Sequence, residues 1–241
     1  MKFYSINGSL NKEIVGHNNQ VINAIHHCDV WEDLKFIDNI DFKKVDFEPI
    51  TSNAILEKQA KLTDLINASC VGFSLKLLVS DSLKNIIEKY SENKCQFFKS
   101  PVIHNKEMIN KYWVTNPYNF SMEFIDFKMS TITVRVRKKE GGTEKVILDI
   151  IALNDFMKSV KFHWNKEEIV TIDNILLKDD ITDDFFILRH VEGGIKYIVS
   201  ENLKQEIEEE GCSGIEFQPI ELSYNEWVAL GGEREKIYGS F

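Results

Sequence analysis

The chain has 241 residues, 43% of them hydrophobic, enough to bury a core in one large domain or two small, closely packed ones. Lysine and arginine total 29 against 38 aspartate and glutamate, a formal charge of -9, which argues against a partner held by its phosphate backbone and leaves basic proteins open. The start lacks a basic stretch followed by an apolar run, no run of about 18 apolar residues occurs, and Cys28, Cys70, Cys95 and Cys212 form no C-x-x-C, so the sequence predicts an unanchored cytoplasmic protein with reduced thiols, no disulfide framework and no structural zinc.

Up to about residue 53, short apolar runs mix with Asn and Asp, and VWEDLKFIDNIDFKKVDFEPI (30–50) reads as edge strands and turns. SNAILEKQAKLTDLINAS (52–69) has apolar residues at 55, 56, 62, 65 and 66, near a 3.6-residue period, with Ser52 or Asn53 placed to cap; it predicts a helix. KLLVSDSLKNIIEKY (76–90) then predicts a strand over 74–79 and a helix opened by Ser80 with Asp81 in its first turn, and CQFFKSPVI (95–103) a strand ending at Pro101. STITVRVRKKEGGTEKVILDIIAL (130–153) alternates Ile132, Val134 and Val136 with Thr133, Arg135 and Arg137, predicting a hairpin with one wet face that turns near Gly141-Gly142. A second hairpin is predicted over DDFFILRHVEGGIKYIVS (183–200), turning at Glu192-Gly193-Gly194.

The end of that hairpin begins a repeat. KYIVSENLKQEIEEE (196–210) follows KLLVSDSLKNIIEKY by 120 residues, with seven identities in thirteen between 76–88 and 196–208. IEFQPIEL (215–222) then answers CQFFKSPVI, with two extra residues in the first copy. Equal spacing predicts the same strand–helix–strand geometry in both copies, with Ser80 and Ser200 as helix N-caps. The class predicted is α+β: two related strand–helix–strand units embedded in mixed, mainly antiparallel sheets with β-hairpins. Residues 1–241 read as a single domain, with repeat subdomains at about 30–125 and 126–222 and a C-terminal extension over 223–241.

Catalytic, cofactor and metal motifs do not emerge. GCSG (211–214) runs from helix to strand, whereas a nucleophile elbow runs from strand to helix, and a helix C-cap accounts for Gly211. His26-His27-Cys28-Asp29 are adjacent, so their side chains cannot all reach one metal. Gly141-Gly142, Gly193-Gly194 and Gly231-Gly232 are pairs without phosphate-loop spacing, and Asp179-Asp180 and Asp183-Asp184 read as solvated loops. One local rule is broken: Glu208, Glu209 and Glu210 stand at the C-terminal end of a helix, where the macrodipole disfavours negative charge by roughly 0.3–1 kcal/mol per group. Lys204, four residues before Glu208, offsets part of this. The five acids Glu208, Glu209, Glu210, Asp183 and Asp184 are the candidate partner-binding residues, because the fold is expected to gain little from them.

Residues 183–222 resemble the C-terminal segment of a bacterial immunity-protein family of polymorphic toxin systems. Its pattern is an aromatic strand with Arg, a Val-Ser opening a helix, Gly-x-x-Gly, and a strand ending Phe-x-Pro. Phe186, Arg189, Val199, Ser200, Leu203, Gly211, Gly214, Phe217 and Pro219 stand at those places. AKLTDLI (60–66), LLVSDSLKNII (77–87) and YWVTNPYNFSMEFIDFKMSTI (112–132) are similar to the family's earlier blocks in the same order, so the resemblance covers roughly 30–222. The first copy departs from the pattern, with Tyr90–Asn93 in place of Gly-x-x-Gly. The resemblance implies a non-catalytic cytoplasmic protein that binds a cognate toxin domain, with no nucleic-acid or membrane partner and no cofactor. A scaffold unrelated to toxins and an enzyme with a site built from scattered residues are the competing readings.

Overall fold

The computed structural model describes residues 1–138, 140–192 and 194–239. Its largest sheet holds, in spatial order, β11 (Thr143–Ile147), β10 (Thr131–Arg137), β12 (Ile169–Asn174), β13 (Phe185–Val191), β14 (Gly194–Ser200), β1 (Phe3–Gly8) and β15 (Ile215–Pro219). All neighbours are antiparallel except β12 and β13. A second, antiparallel sheet runs β4 (Leu65–Ile66), β5 (Leu78–Ser80), β9 (Tyr112–Pro117), β6 (Cys95–Lys99). A third runs β2 (Val21–Ile25), β3 (Asn53–Leu56), β7 (Val102–His104), β8 (Glu107–Ile109). The helices are α1 (Lys12–Val15), α2 (Asp81–Tyr90), α3 (Leu153–Trp164), α4 (Glu201–Glu209), α5 (Tyr224–Trp227) and α6 (Glu233–Tyr238). The class is α+β with mainly antiparallel sheets, and both predicted hairpins form, β10–β11 and β13–β14; Gly193, placed in the second turn, lies outside the described residues.

The two repeats share one geometry. Leu65 pairs with Val79 and Ile66 with Leu78; 120 residues on, Phe185 pairs with Val199 and Phe186 with Ile198. Ser80 Oγ accepts from Leu83 N at 3.2 Å and donates to Asp64 at 2.6 Å. Ser200 Oγ accepts from Leu203 N at 3.2 Å and donates to Asp184. Each serine therefore satisfies an orphan N–H of its helix and ties the helix start to the preceding strand. The fourth strand of each unit differs in origin. In the first it is β9, between β5 and β6; in the second the same slot between β14 and β15 is filled by β1, from the start of the chain. The second unit's sheet is thus not confined to 126–222.

Several expectations are corrected. Residues 52–69 form no helix: Ala54 and Ile55 pair with β7 in one sheet, while Leu65 and Ile66 pair with β5 in another. The two supposed caps are engaged otherwise, Ser52 with His26 at 2.8 Å and Asn53 Oδ1 with His27 Nε2 at 2.5 Å. Residues 30–50 hold turns, a 3₁₀ turn at Ile37–Ile40 and a single bridge from Phe36 to Ile50, but no named strand. The strand predicted from 74 starts at Leu78, after Leu75 adopts φ 58°. The constant offset of 120 sets Ser91 and Lys94, one place beyond the expected residues, opposite Gly211 and Gly214. It also matches Lys99 with Pro219, so Pro101 and Pro219 are not counterparts.

Strand alternation divides the core. On β13, Phe186 and Leu188 face α3 and its buried Phe156, while Phe185 and Ile187 face α2 and α4, where Leu83, Ile87, Leu203 and Ile207 of both units pack together. A third cluster, with Phe36, Ile37 and Phe73, draws on both four-stranded sheets, through Ala54 and Val102 of one and Leu78 and Val114 of the other. The segment after residue 222 folds back: Trp227 is buried, and Arg234 meets Glu216 of β15 in an ion pair at 2.7 Å, both side chains 1% exposed. Glu216 also accepts from Ser9 Oγ and Leu10 N, so this pair joins α6, β15 and the chain after β1.

Candidate partner-binding site

α4 is held by its inner face and both ends. Leu203 and Ile207 are buried one turn apart, Ser200 caps the start, and the end closes through Gly211 N to Glu208 O at 3.0 Å and Cys212 N to Ile207 O at 3.2 Å. Gly211, at φ 71°, supplies the left-handed residue this Schellman closure needs. Glu208, Glu209 and Glu210 are consequently fixed at an exposed helix terminus. Lys204 Nζ contacts Glu208 at 3.1 Å and Glu201 at 3.7 Å, and Gln205 donates to Glu209 at 2.7 Å. Glu210 has no side-chain hydrogen bond or contact ion pair among the described residues. The surrounding field is negative: the Tyr4 hydroxyl is held well above its ordinary pKa by burial and by Glu201, with Glu221 and Glu208 adding to the effect.

Asp183 and Asp184 lie at the other end of the helix, about 13 Å away along its axis from the rise per residue. Asp184 takes the Ser200 hydroxyl, its carbonyl takes Ser200 N at 2.9 Å, and Asp183 pairs with Lys94 of the first unit at 3.0 Å. The expectation that these two acids serve the fold little is therefore corrected, because both carry contacts that assemble it. The structure does not join them to Glu208–Glu210 as one patch. Of the residues assigned structural roles, Phe186, Gly214, Phe217 and Ser200 are buried, and Pro219 ends β15. Arg189 is half-buried, its guanidinium over the rings of Phe42 at 4.9 Å and Phe120 at 5.7 Å.

Sequence reasoning missed Glu206. It accepts from Lys89 at 2.7 Å and Tyr90 at 2.5 Å, hydrogen bonds that hold its carboxyl below the usual range and cross-link α4 to α2. The signal was available in the repeat, since Glu206 stands where the first copy has the buried Ile86. The same comparison isolates the acidic end. Glu208, Glu209 and Glu210 correspond to Glu88, Lys89 and Tyr90, and the latter two of the first copy's set bind Glu206, whereas among the described residues the side-chain hydrogen bonds of Glu208 and Glu209 stay within their own helix.

Among the described residues no group of three or more His, Cys, Asp or Glu is placed to hold a metal, and no helix is long and apolar enough to cross a membrane. What stands out is a two-unit α+β protein with an anchored acidic helix end that Lys204 offsets only in part. A family model for an immunity protein family, Imm11, matches residues 35–222, and the chain belongs to that family. No curated protein matches the chain.

Proposed function

We propose that this protein binds and neutralises a cognate toxin domain in the cytoplasm of the producing cell, by stoichiometric binding rather than catalysis, and that Glu208, Glu209 and Glu210 meet a basic surface of that toxin. Membership of an immunity protein family supports the protein partner. The observation that carries the site is the cluster of three exposed carboxylates at an anchored helix end, where local electrostatics opposes them and the equivalent end of α2 has one, Glu88, followed by Lys89 and Tyr90. Together with a formal charge of -9, they would draw a basic partner along a favourable potential. Asp183 and Asp184 would extend this field as a second patch, already partly neutralised by Lys94.

The test is the association rate with the cognate toxin domain, measured at low and high ionic strength. Replacing the three glutamates by lysine should slow association about tenfold or more at low salt and flatten the salt dependence, with the unfolding curve nearly unchanged. A variant that associates as fast as the parent removes the acidic end from the interface. A parent that neither binds that toxin domain nor protects cells from it refutes the function.

A further inference from the structure

The face of the large sheet that α2 and α4 leave uncovered, toward β10 and β12, forms one wall of a cleft of about 530 Å³, closed opposite by Leu75 and Phe42 of the first unit. Its charge is opposite to that of the protein as a whole. Both carboxylates that line it are already matched: Asp173 takes Lys145 at 2.8 Å and the Thr133 hydroxyl at 2.8 Å, and Glu192 lies 3.7 Å from Lys196 and accepts Tyr224 N. Arg135 and Arg189, which also line it, have no hydrogen-bonded or ion-paired acceptor for their guanidinium groups among the described residues. His190 adds no charge near neutral pH, since burial, and secondarily Arg189, pushes its pKa down to about 4.

The local backbone is arranged around Arg189. Asp41 and Phe42 adopt consecutive left-handed conformations, φ 55° and 54°, a costly choice for phenylalanine. The Phe42 ring then lies within cation–π reach of two cations, Lys76 at 5.3 Å and Arg189 at 4.9 Å. Lys76 is neutralised by Asp38 at 3.1 Å; Arg189 is not neutralised. Ring stacking uses the faces of a guanidinium and leaves its in-plane N–H donors for an acceptor. Beside these donors stand apolar surfaces, Trp164 at 75% exposure and Ile169 at 60%. Aromatic and arginine side chains around a concave site are the composition of energetic centres in protein interfaces.

We propose that this cleft receives an extended segment of the protein partner bearing a carboxylate side chain flanked by apolar residues, the carboxylate bridging Arg135 and Arg189 and its neighbours covering Trp164 and Ile169. The choice of that partner as the toxin rests on the function proposed above; the cleft's preference for an acidic apolar peptide does not. A polyanion such as a nucleic acid fits less well, because Asp173 and Glu192 flank the two arginines and the whole chain carries -9.

Two arms test it. In the first, acetyl-Asp-Leu-Glu-Phe-Asp-amide is titrated into ¹⁵N-labelled protein beside its Asn/Gln analogue, inorganic phosphate and a short oligonucleotide. Shifts confined to Arg135, Ile169, Thr171 and Arg189, at least tenfold weaker with the amide analogue and lost in Arg135→Gln, are expected. No shifts there, equal binding of the amide analogue, or preferential response to phosphate or oligonucleotide overturns the proposal. In the second, dissociation of the toxin domain should quicken at least tenfold in Arg135→Gln and in Arg189→Gln. Arg135 is exposed, so its variant stays informative if loss of the Arg189 stack unfolds the second. Unchanged dissociation from a parent that does bind removes the cleft and leaves the toxin-binding function standing. Failure of the parent to bind refutes that function, and the peptide arm then decides the cleft alone.

Discussion

Arg234→Met removes the cation from the buried pair that fastens the C-terminal segment to β15. Both side chains are 1% exposed, with Nε and Nη2 each 2.7 Å from a Glu216 oxygen. Breaking such a pair from one side costs about 3–5 kcal/mol, because a charge stays buried without its counter-ion. Glu216 keeps the Ser9 hydroxyl at 3.0 Å and Leu10 N at 2.8 Å, which places the loss near the lower figure, about 3 kcal/mol. For a chain of this length that is a fall in Tm of about 10 °C. Urea unfolding followed by circular dichroism measures it, with the double variant Glu216→Gln, Arg234→Met as control. The double variant leaves no uncompensated charge at position 216 and retains an acceptor for Ser9 and Leu10, so it should recover at least half of the loss. A single variant within about 1 kcal/mol of the parent, or a double variant no more stable than the single, refutes the reasoning.

Ser200→Ala should cost about 1–2 kcal/mol and Ser80→Ala about 1, both read from chemical denaturation, since Ser200 is fully buried and Ser80 is not; weakened toxin binding at unchanged stability would refute the capping role. Gly214→Ala should destabilise more than Gly211→Ala although both glycines have positive φ, because a Cβ at 214 would lie 2.5 Å from Leu65 O and one at 211 meets nothing within 4 Å; equal melting shifts would contradict this. His190, with its pKa depressed to about 4 from 6.5, binds fewer protons folded than unfolded between those values. Its stabilising contribution is therefore complete above pH 6.5 and is lost as pH falls towards 4. His190→Asn, which tolerates the left-handed backbone at φ 57°, should flatten the stability profile across that window; an unchanged slope would show that His190 titrates normally.

The sequence disclosed what local chemistry decides. A serine before an amphipathic helix, and strict alternation before a glycine pair, state their structures within a dozen residues, and these became α2, α4 and the β10–β11 hairpin, while the second hairpin is marked by its glycine pair without alternation. Residues 52–69 misled because their apolar positions suit a helix as well as two short strands. The deciding information lies elsewhere in the chain, in β2 and β7 for one strand and β5 for the other. α3 gave no signal: Ala152 provides no side-chain cap, only Phe156 is fully buried, and Met157, Phe162 and Trp164 point to solvent, so no clean apolar stripe exists. Glu208–Glu210 were legible because they contradict their helix, and Asp184 was misjudged because its use depends on Ser200, sixteen residues away. Nothing in the sequence distinguishes Arg234 or Glu216 from ordinary surface charges.

The agreement between the units extends past the recognisable repeat, and this sharpens what their differences mean. β1 carries the register of β9 at an offset of 109, Tyr4 standing for Trp113. Trp113 donates its indole N–H to Asp81 at 2.5 Å, and Tyr4 donates its hydroxyl to Glu201, so a first-turn acid is fixed by an aromatic of the central strand in both. Lys84 sits 4.9 Å from the Trp113 ring and 6.0 Å from Phe97; Lys204 sits 5.2 Å from Tyr4 and 5.8 Å from Phe217. Lys84 pairs with Glu88 as Lys204 pairs with Glu208. Cap, first-turn acid, aromatic, lysine and its glutamate thus recur wherever the strand–helix unit is built, even when the aromatic arrives from the other end of the chain. These are the requirements of the fold. The repetition includes Glu208 and stops after it: Lys89 and Tyr90 turn inward to Glu206, while Glu209 and Glu210 remain at the surface. Within the proposed three-glutamate site, Glu209 and Glu210 are therefore the residues whose charge the fold leaves free for a partner, and Glu208 is the one that the repeated unit already pairs with a lysine of its own helix.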